Sequence, residues 1–203
     1  MRVTKGLRIN EKTIILLLGD GVREERLVRA ISEKYNHKKT LLIPTIGYGK
    51  VGLTGVIERL SLLTLLTRVN RYAIVIDKEH VESIDEVMSK LKEYGFTINT
   101  IINLDKDLWE IKCTKGPKDI TIIFMAVGLT AKGRIEENIA KLIRLFYGEE
   151  VNPDKVAINT WLRRHNLRDH ELIRETLERS KEKFRKAFPN LMTFIEYLAK
   201  DPP

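Results

Sequence analysis

The amino-acid sequence predicts an α/β protein with a Rossmann-like core, whose mostly parallel sheet is extended by a β-meander and followed by a helical C-terminal extension. Apolar runs of strand length alternate with helical periodicity as far as Gly95, as a parallel sheet with crossover helices requires. Three further strand-like runs then follow one another, and from Gly133 onward the periodicity is helical. We place the α/β domain at residues 1–148 and the extension at residues 149–203.

The first half of the chain alternates strand and helix. The predicted strands are continuous apolar runs, typical of buried strands, at Thr13–Leu18, Thr40–Ile46 and Tyr72–Ile76. The predicted helices run over Val22–Tyr35, from Val56 to near Asn70, and from Ile84 to Leu91 with Gly95 as a C-cap. Because strands separated by helices favour parallel pairing, this half is expected to form a doubly wound core.

The second half contains the meander and the helices of the extension. Strand-like runs cover Thr97–Ile102, Leu108–Cys113 and Ile120–Val127, with turn-forming residues between them. Helical periodicity covers Ile135–Tyr147, Lys155–Arg164, His170–Phe188 and Leu191–Leu198. The C-terminal helices are expected either to pack on the core or to form a surface for a protein partner or a second copy of the chain.

The composition excludes a disordered chain and a membrane-spanning protein. Hydrophobic residues make up 43% of the sequence and charged residues 32%, and the apolar runs are strand-sized rather than long enough for a membrane span. The single cysteine, Cys113, and the lack of a signal-peptide pattern lead us to expect a cytoplasmic protein. The net charge of +8 favours a nucleic-acid partner, and the alternative interpretation is the charge-rich surface of a thermophile protein.

Acidic residues follow two of the predicted parallel strands directly. Asp20 comes after the first strand, and Asp77 and Glu79 come after the third. Because loops beyond the carboxyl ends of the strands converge in a doubly wound sheet, we expect these acids to share one site. Glu24, one helical turn beyond Asp20, is a further catalytic candidate. Carboxylate oxygens suit Mg²⁺ or Mn²⁺, whereas one cysteine and four histidines without regular spacing disfavour zinc.

The same segments resemble the two motifs of the Toprim family. Leu16–Leu27, an apolar strand that ends in an acid and a glycine before a helix with further acids, is similar to the first motif. Ala73–Glu79 is similar to the second, an apolar strand that ends in Asp-x-Asp. The family includes topoisomerases, bacterial-type primases, recombination proteins and nucleases of the overcoming-lysogenization-defect type, and this chain is most similar to its small stand-alone members. The resemblance implies a Toprim-type core and Mg²⁺-dependent phosphoryl transfer on DNA or RNA, of the nuclease type.

The resemblance also implies roles for individual acids. Asp20 takes the place of the family's acid/base glutamate and is also a candidate metal ligand, while Asp77 and Glu79 take the places of its metal-binding aspartates. Because Asp20 is shorter and Glu79 longer than the family's residues, a binding module without catalysis is the alternative. Glu136 or Glu137, at the head of a predicted helix, adds a further ligand or else serves only the helix dipole.

Basic residues near the acids are candidates for contacts with phosphate. They are Lys50 in a glycine-rich loop, Lys78 between the two acids of the second motif, and Arg23 and Arg26 on the first helix. For the arginines, a solvated helix face balanced by acids is the alternative interpretation.

The extension has its own group of basic residues around an aromatic side chain. Trp161 is followed by Arg163, Arg164, His165 and Arg168. Such a group can grip nucleic acid, and the alternative is that Trp161 packs against the core.

A dinucleotide site is a second alternative function. Gly47, Gly49 and Gly52 form a G-x-G-x-x-G pattern between a strand and a helix, and Asp77 closes the next strand, as in a Rossmann nucleotide site. Against it, Pro44 interrupts the strand, the pattern lies on the second strand of the chain, and no substrate domain of convincing size follows.

Overall fold

A seven-stranded sheet with helices on both faces organises the chain in its computed structural model, which describes residues 1–6, 12–19, 21–35, 38–45 and 51–200. The strands are β1 (Arg2–Lys5), β2 (Thr13–Leu18), β3 (Thr40–Ile43), β4 (Arg71–Asp77), β5 (Thr97–Asp105), β6 (Leu108–Lys115) and β7 (Lys118–Val127). The helices are α1 (Val22–Ser32), α2 (Gly52–Leu66), α3 (Ile84–Glu93), α4 (Ile135–Tyr147), α5 (Lys155–Arg164), α6 (Asp169–Arg179), α7 (Lys181–Ala187) and α8 (Pro189–Ala199), and a short 3₁₀ helix covers Lys78–His80. Within these described ranges, no helix is both long and apolar enough to cross a membrane.

The sheet is mixed and mostly parallel, with strand order β1-β3-β2-β4-β7-β6-β5. β1, β3, β2, β4 and β7 run parallel, whereas β6 pairs antiparallel with both β7 and β5. The predicted α/β class, the parallel core and the meander that extends it are therefore confirmed.

Two apolar cores lie on opposite faces of the sheet. Successive residues of β2 alternate between them, with Ile15 and Leu17 on the face covered by α2 and α3, and Ile14 and Leu16 on the face covered by α1 and α4. The helices after residue 148 pack on the α1 and α4 face, where Trp161 belongs to the core. The indole of Trp161 is thus packed inside the protein and does not present a stacking surface.

The helices that follow β2 and β4 leave the sheet in opposite directions. β2 and β4 are neighbours, with Leu18 paired with Val75, yet α1 covers one face and α3 the other. In doubly wound sheets this divergence opens a crevice beyond the carboxyl ends of the two strands, where ligands bind. Asp77, the last residue of β4, lies at this crevice.

The structure differs from the sequence prediction in one strand that was not predicted and in two predicted elements. β1 was not predicted, because in its four residues only Val3 is buried and the apolar signal is too short. β3 ends at Ile43, since Pro44 cannot donate a backbone hydrogen bond to continue the strand. The single helix predicted over His170–Phe188 is wrong: Ser180 adopts an extended conformation and its side chain accepts a hydrogen bond from the Lys183 N–H, which starts α7 as a separate helix.

Candidate functional site: an acidic cavity at the sheet edge

Asp77 is held at the end of β4 by the beginning of α4. Its side chain is only 5% exposed, and its Oδ1 accepts a hydrogen bond from the Ile135 N–H at 3.0 Å. Ile135 is the first residue of α4, so this bond satisfies one of the N–H groups that a helix leaves without an internal partner. The carboxylate of Asp77 is thereby fixed relative to the acids at the head of α4.

The loop between β7 and α4 owes its shape to a close contact between two glycines. Gly128 has a φ of +128°, and a Cβ on it would lie 2.5 Å from the carbonyl carbon of Gly133. Glu137 then ties the loop to α4, because its Oε2 accepts hydrogen bonds from the N–H groups of Leu129 and Thr130 at 2.8 and 2.9 Å. Although burial opposes it, these bonds hold the pKa of Glu137 below its usual value. Glu137 is therefore a structural residue of this loop.

Three carboxylates from distant parts of the chain line one cavity beyond β4. Asp77, Glu24 from α1 and Glu136 from α4 share a cavity of about 270 Å³, which we call the acidic cavity. Its other lining residues are Gly21, Arg23, Arg26, Ile135, Lys155 and Asn159. Glu24 is 3% exposed and Glu136 is 1% exposed, and the buried Oε2 atom of Glu136 has no hydrogen-bond partner among the residues that the structure describes. A buried carboxylate oxygen without a partner is costly, so this cavity favours a bound cation or donor.

Negative charge is crowded around Asp77. Burial raises the pKa of Asp77 to about 8, and the nearby charge of Glu24 adds to the effect, as do those of Glu136 and Glu79. The hydrogen bond from Ile135 acts in the opposite direction and lowers this pKa. Shifts of this size at a cleft are characteristic of functional carboxylates.

Arg23 connects the acidic cavity to the C-terminal helices. Its guanidinium donates to Glu136 Oε1 at 2.7 Å, to Asp169 Oδ1 at 3.0 Å and to Asn159 Oδ1 at 2.7 Å. The Arg23 side chain is 12% exposed, so its pairs with the buried Glu136 and Asp169 are largely desolvated, whereas its contact with Asn159 is exposed. Arg26, one turn further on α1, donates to the other carboxylate oxygen of Asp169 at 2.9 Å. Together the two arginines fasten α1 to α4, α5 and α6.

The structure brings some of the predicted site residues together and separates others. Asp77, Glu24, Arg23 and Arg26 all line the acidic cavity. Asp20, expected beside them, and Lys50 lie outside the described residues. The roles of Asp20 as a catalytic residue and as a metal ligand stay predictions.

Glu79 and Lys78 are engaged elsewhere. Glu79 Oε2 accepts from Arg134 Nε at 2.5 Å, and its carboxylate does not line the acidic cavity. Lys78 is 9% exposed, pairs with Asp107 at 2.6 Å and lines a different cavity. The roles of Glu79 as a metal ligand and of Lys78 as a phosphate contact stay predictions. Each role would require the ion pair of that residue to break.

Of the three glycines in the predicted dinucleotide motif, the structure describes only Gly52. Gly47 and Gly49 lie outside the described residues, whereas Gly52 is the first residue of α2. Gly52 has a φ of +74°, and its N–H donates to the Gly19 carbonyl at 3.4 Å. This contact joins the start of α2 to the end of β2, so Gly52 has a structural role at the same crevice.

Sequence reasoning missed several residues of the cavity. It left Glu136 open beside Glu137, and only the structure assigns Glu136 to the cavity and Glu137 to the loop. Asn159, which lines the cavity, and Asp169, which pairs with Arg23 without lining the cavity, were not predicted at all, because nothing local to α5 or α6 distinguishes them from ordinary polar helix residues. Arg23 and Asp169 are 146 residues apart in sequence.

The donor set of the acidic cavity suits a hard cation in part. Among the described residues, no group of three His, Cys, Asp or Glu side chains is placed to hold one metal ion. Mg²⁺, however, is commonly bound through one or two carboxylates, with water and substrate phosphate completing its shell. Among the described residues, Glu136 Oε2 has no hydrogen-bond partner and negative charge is crowded at Asp77, so these are the two residues that would hold such an ion.

Comparison of the chain with protein-family models, with curated proteins and with solved structures finds no match. The acidic cavity is therefore interpreted from its own geometry and chemistry.

Proposed function

We propose that this chain is a Toprim-like nucleic-acid protein that hydrolyses phosphodiester bonds with Mg²⁺ or Mn²⁺ at the acidic cavity. One observation carries the proposal. Asp77, Glu24 and Glu136 converge on a single cavity at the crevice of a doubly wound sheet, and no group among the described residues donates a hydrogen bond to the buried Oε2 of Glu136. The basic net charge of +8 agrees with a polyanionic substrate.

In this proposal the three acids of the cavity have different chemical roles. Asp77 and Glu136 hold the metal ion, and the Ile135 N–H keeps the Asp77 carboxylate oriented. When bound, the ion would neutralise phosphate charge and lower the pKa of a bound water. Glu24 lines the same cavity and is the candidate to accept the proton of the attacking water, a role that the Toprim resemblance gives to Asp20 as well.

Positive side chains at the rim would position the substrate. Arg26 is about half exposed although it pairs with Asp169, so part of its guanidinium is accessible to a phosphate oxygen. Lys155 also lines the cavity. Arg23 is largely buried and acts through Glu136, whose carboxylate it holds in position. Electrostatic stabilisation by such fixed charges is often the largest contribution to catalysis.

The test is cleavage of labelled single- and double-stranded DNA and RNA with Mg²⁺ or Mn²⁺. Asp77→Asn and Glu136→Gln should each reduce the rate by at least about 100-fold. Asp85→Asn and Glu58→Gln make the same chemical changes at exposed positions outside the cavity and should leave the rate unchanged. Equal cleavage by wild type and both cavity variants would identify a contaminant and overturn the proposal.

A second candidate function is a non-catalytic nucleic-acid-binding module. Two contacts favour it: Arg23 already neutralises one oxygen of Glu136, and Arg134 neutralises Glu79. A wild-type protein that binds nucleic acid tightly, with binding that weakens as salt rises, but cleaves no substrate with either metal would select this function.

A further inference from the structure

We infer that a second cavity, formed by α1, α5 and α6 beside the acidic cavity, binds phosphate groups of a polynucleotide backbone. This basic cavity has a volume of about 450 Å³, and its polar lining consists of Arg26, Asn159, Arg163, Arg168, Asp169 and His170. Its assignment to a polynucleotide, rather than to a phosphate of another kind, rests on the proposed function.

The charge of the basic cavity is unbalanced toward the positive. Asp169 is the single carboxylate among its described lining residues, and Arg23 and Arg26 already pair with both oxygens of that residue, at 3.0 and 2.9 Å. Arg163 and Arg168 are exposed and form no ion pair with any carboxylate in the part of the chain that the structure describes. Two guanidinium groups without a counter-charge on one wall form a site for an anion, and guanidinium matches the geometry of phosphate oxygens.

The basic cavity adjoins the acidic cavity. Arg26 and Asn159 line both, and Asn159 Oδ1 accepts a hydrogen bond from Arg23, which also contacts Glu136. A backbone phosphate in the basic cavity would therefore lie next to a phosphodiester in the acidic cavity. Successive phosphates of one strand provide such a pair of anions, whereas inorganic phosphate provides one.

The lining also indicates which part of a polynucleotide the basic cavity would contact. Among the described lining residues, the apolar part of the wall consists of Leu162 and Leu167, and the only ring is the imidazole of His170. Aromatic platforms for stacked bases are absent from this lining, and most of its donors suit phosphate rather than base edges. Binding here should consequently be independent of base sequence and sensitive to salt.

The inference can be tested by titrating fluorescent oligonucleotides with protein in EDTA, so that binding is measured without cleavage. Arg163→Gln/Arg168→Gln should weaken binding by about tenfold or more and reduce the slope of log K against log salt by about 1 to 2. The matched control is Arg68→Gln/Lys181→Gln, which removes the same charge from exposed residues outside the cavity and should bind like wild type. Arg163→Gln alone, at an exposed helix position, gives a second variant if the double variant folds poorly.

Three outcomes would overturn the inference. Equal weakening by the control pair would show a general charge effect, and unchanged binding by both pairs would exclude the cavity. Displacement of the oligonucleotide by inorganic phosphate or AMP at equal concentration would assign the cavity to free phosphates instead of a polynucleotide.

The failure of this inference can be distinguished from the failure of the proposed function. If the cavity variants lose binding while wild type cleaves nothing, the basic cavity stands and the catalytic proposal falls. If cleavage depends on Asp77 but the variants of the basic cavity bind and cleave like wild type, the catalytic proposal stands and the inference about the basic cavity falls.

Discussion

The carboxylate of Asp77 and the backbone N–H of Ile135 are joined by a 3.0 Å hydrogen bond that links the end of β4 to the start of α4. Glu136, the next residue, is thereby brought to the cavity that Asp77 lines. This single backbone donor thus holds Asp77 and Glu136, which are 59 residues apart in sequence, at a common cavity. Their negative charges are therefore close together, which raises the pKa of Asp77.

The burial of Asp77, together with the acidic residues crowded around it, predicts how stability depends on pH. The folded-state pKa of Asp77 is raised to about 8 from an ordinary value of 3.8, so between these values the folded state binds a proton that the unfolded state has lost. The contribution of Asp77 to the free energy of unfolding is therefore fully present below about pH 4 and is lost as pH rises to about 8. Asp77→Asn, measured in EDTA, lacks this titration. Its free energy of unfolding relative to wild type should therefore be higher at pH 8.5 than at pH 5, by an amount on the order of a few kcal/mol.

Thermal unfolding of wild type and Asp77→Asn from pH 5 to pH 8.5 measures this effect. The difference in Tm should grow with pH, whereas the exposed control Asp85→Asn should follow wild type throughout. A difference that is the same at every pH would show that Asp77 is ionised across the whole range.

Divalent metal should stabilise the folded protein, and more strongly at high pH. The ion competes with the proton on Asp77, so its affinity should rise as pH approaches 8. At a metal concentration of about 100 times Kd, the gain is about 2.7 kcal/mol, or a Tm rise of about 5–10 °C for a chain of this size. Differential scanning fluorimetry with Mg²⁺ and Mn²⁺ at pH 6.5 and 8.5 measures it. A shift that survives in Asp77→Asn/Glu136→Gln would place the metal elsewhere.

Removing the Arg23 guanidinium should destabilise the protein strongly. Arg23→Gln leaves Glu136 and Asp169, both buried, without their shared partner, and breaking a buried pair typically costs about 3–5 kcal/mol. Urea unfolding should show this loss, while Arg68→Gln, at an exposed position, should change the stability by less than about 0.5 kcal/mol. Adding Glu136→Gln to Arg23→Gln should recover part of the loss. If Arg23→Gln is as stable as wild type, the guanidinium is free to act as the phosphate contact that the sequence suggested.

The loop before α4 should depend on Gly128 for steric reasons. Gly128→Ala combines a positive φ with a Cβ only 2.5 Å from the Gly133 carbonyl carbon, so the loop must move. Gly95→Ala shares the positive φ, at +80°, but has no atom within 4 Å of the new Cβ. Gly95→Ala should cost about 1–2 kcal/mol, the price of the left-handed conformation alone. Gly128→Ala should cost distinctly more in urea unfolding and should also lower cleavage, because the loop positions Ile135 and Glu136; equal costs would mean that the loop adapts freely.

Much of the fold follows from short-range patterns. The continuous apolar runs of β2 and β4 and the helical periodicity of α1 and α3 predict these elements, because burial on a strand or helix repeats within a few residues. Where the local signal is brief, prediction fails. β1 has one buried residue, and the break at Ser180 depends on a single side-chain cap.

The acidic site was predictable only in outline. Asp77 and Glu24 follow strands in the sequence, and the rule that sites lie beyond the carboxyl ends of parallel strands was enough to nominate them. The sequence by itself determined the fold class, the bounds of β2 and the net charge, since each depends on residues that are neighbours or on composition. The tertiary structure alone decided that Glu136 faces the cavity, that Arg23 is held by Asp169 from 146 residues away, and that Arg26 and Asn159 connect an acidic cavity to a basic one. These relationships depend on how α1, α4, α5 and α6 pack around one core, and local sequence does not encode which side chains of separate helices will meet.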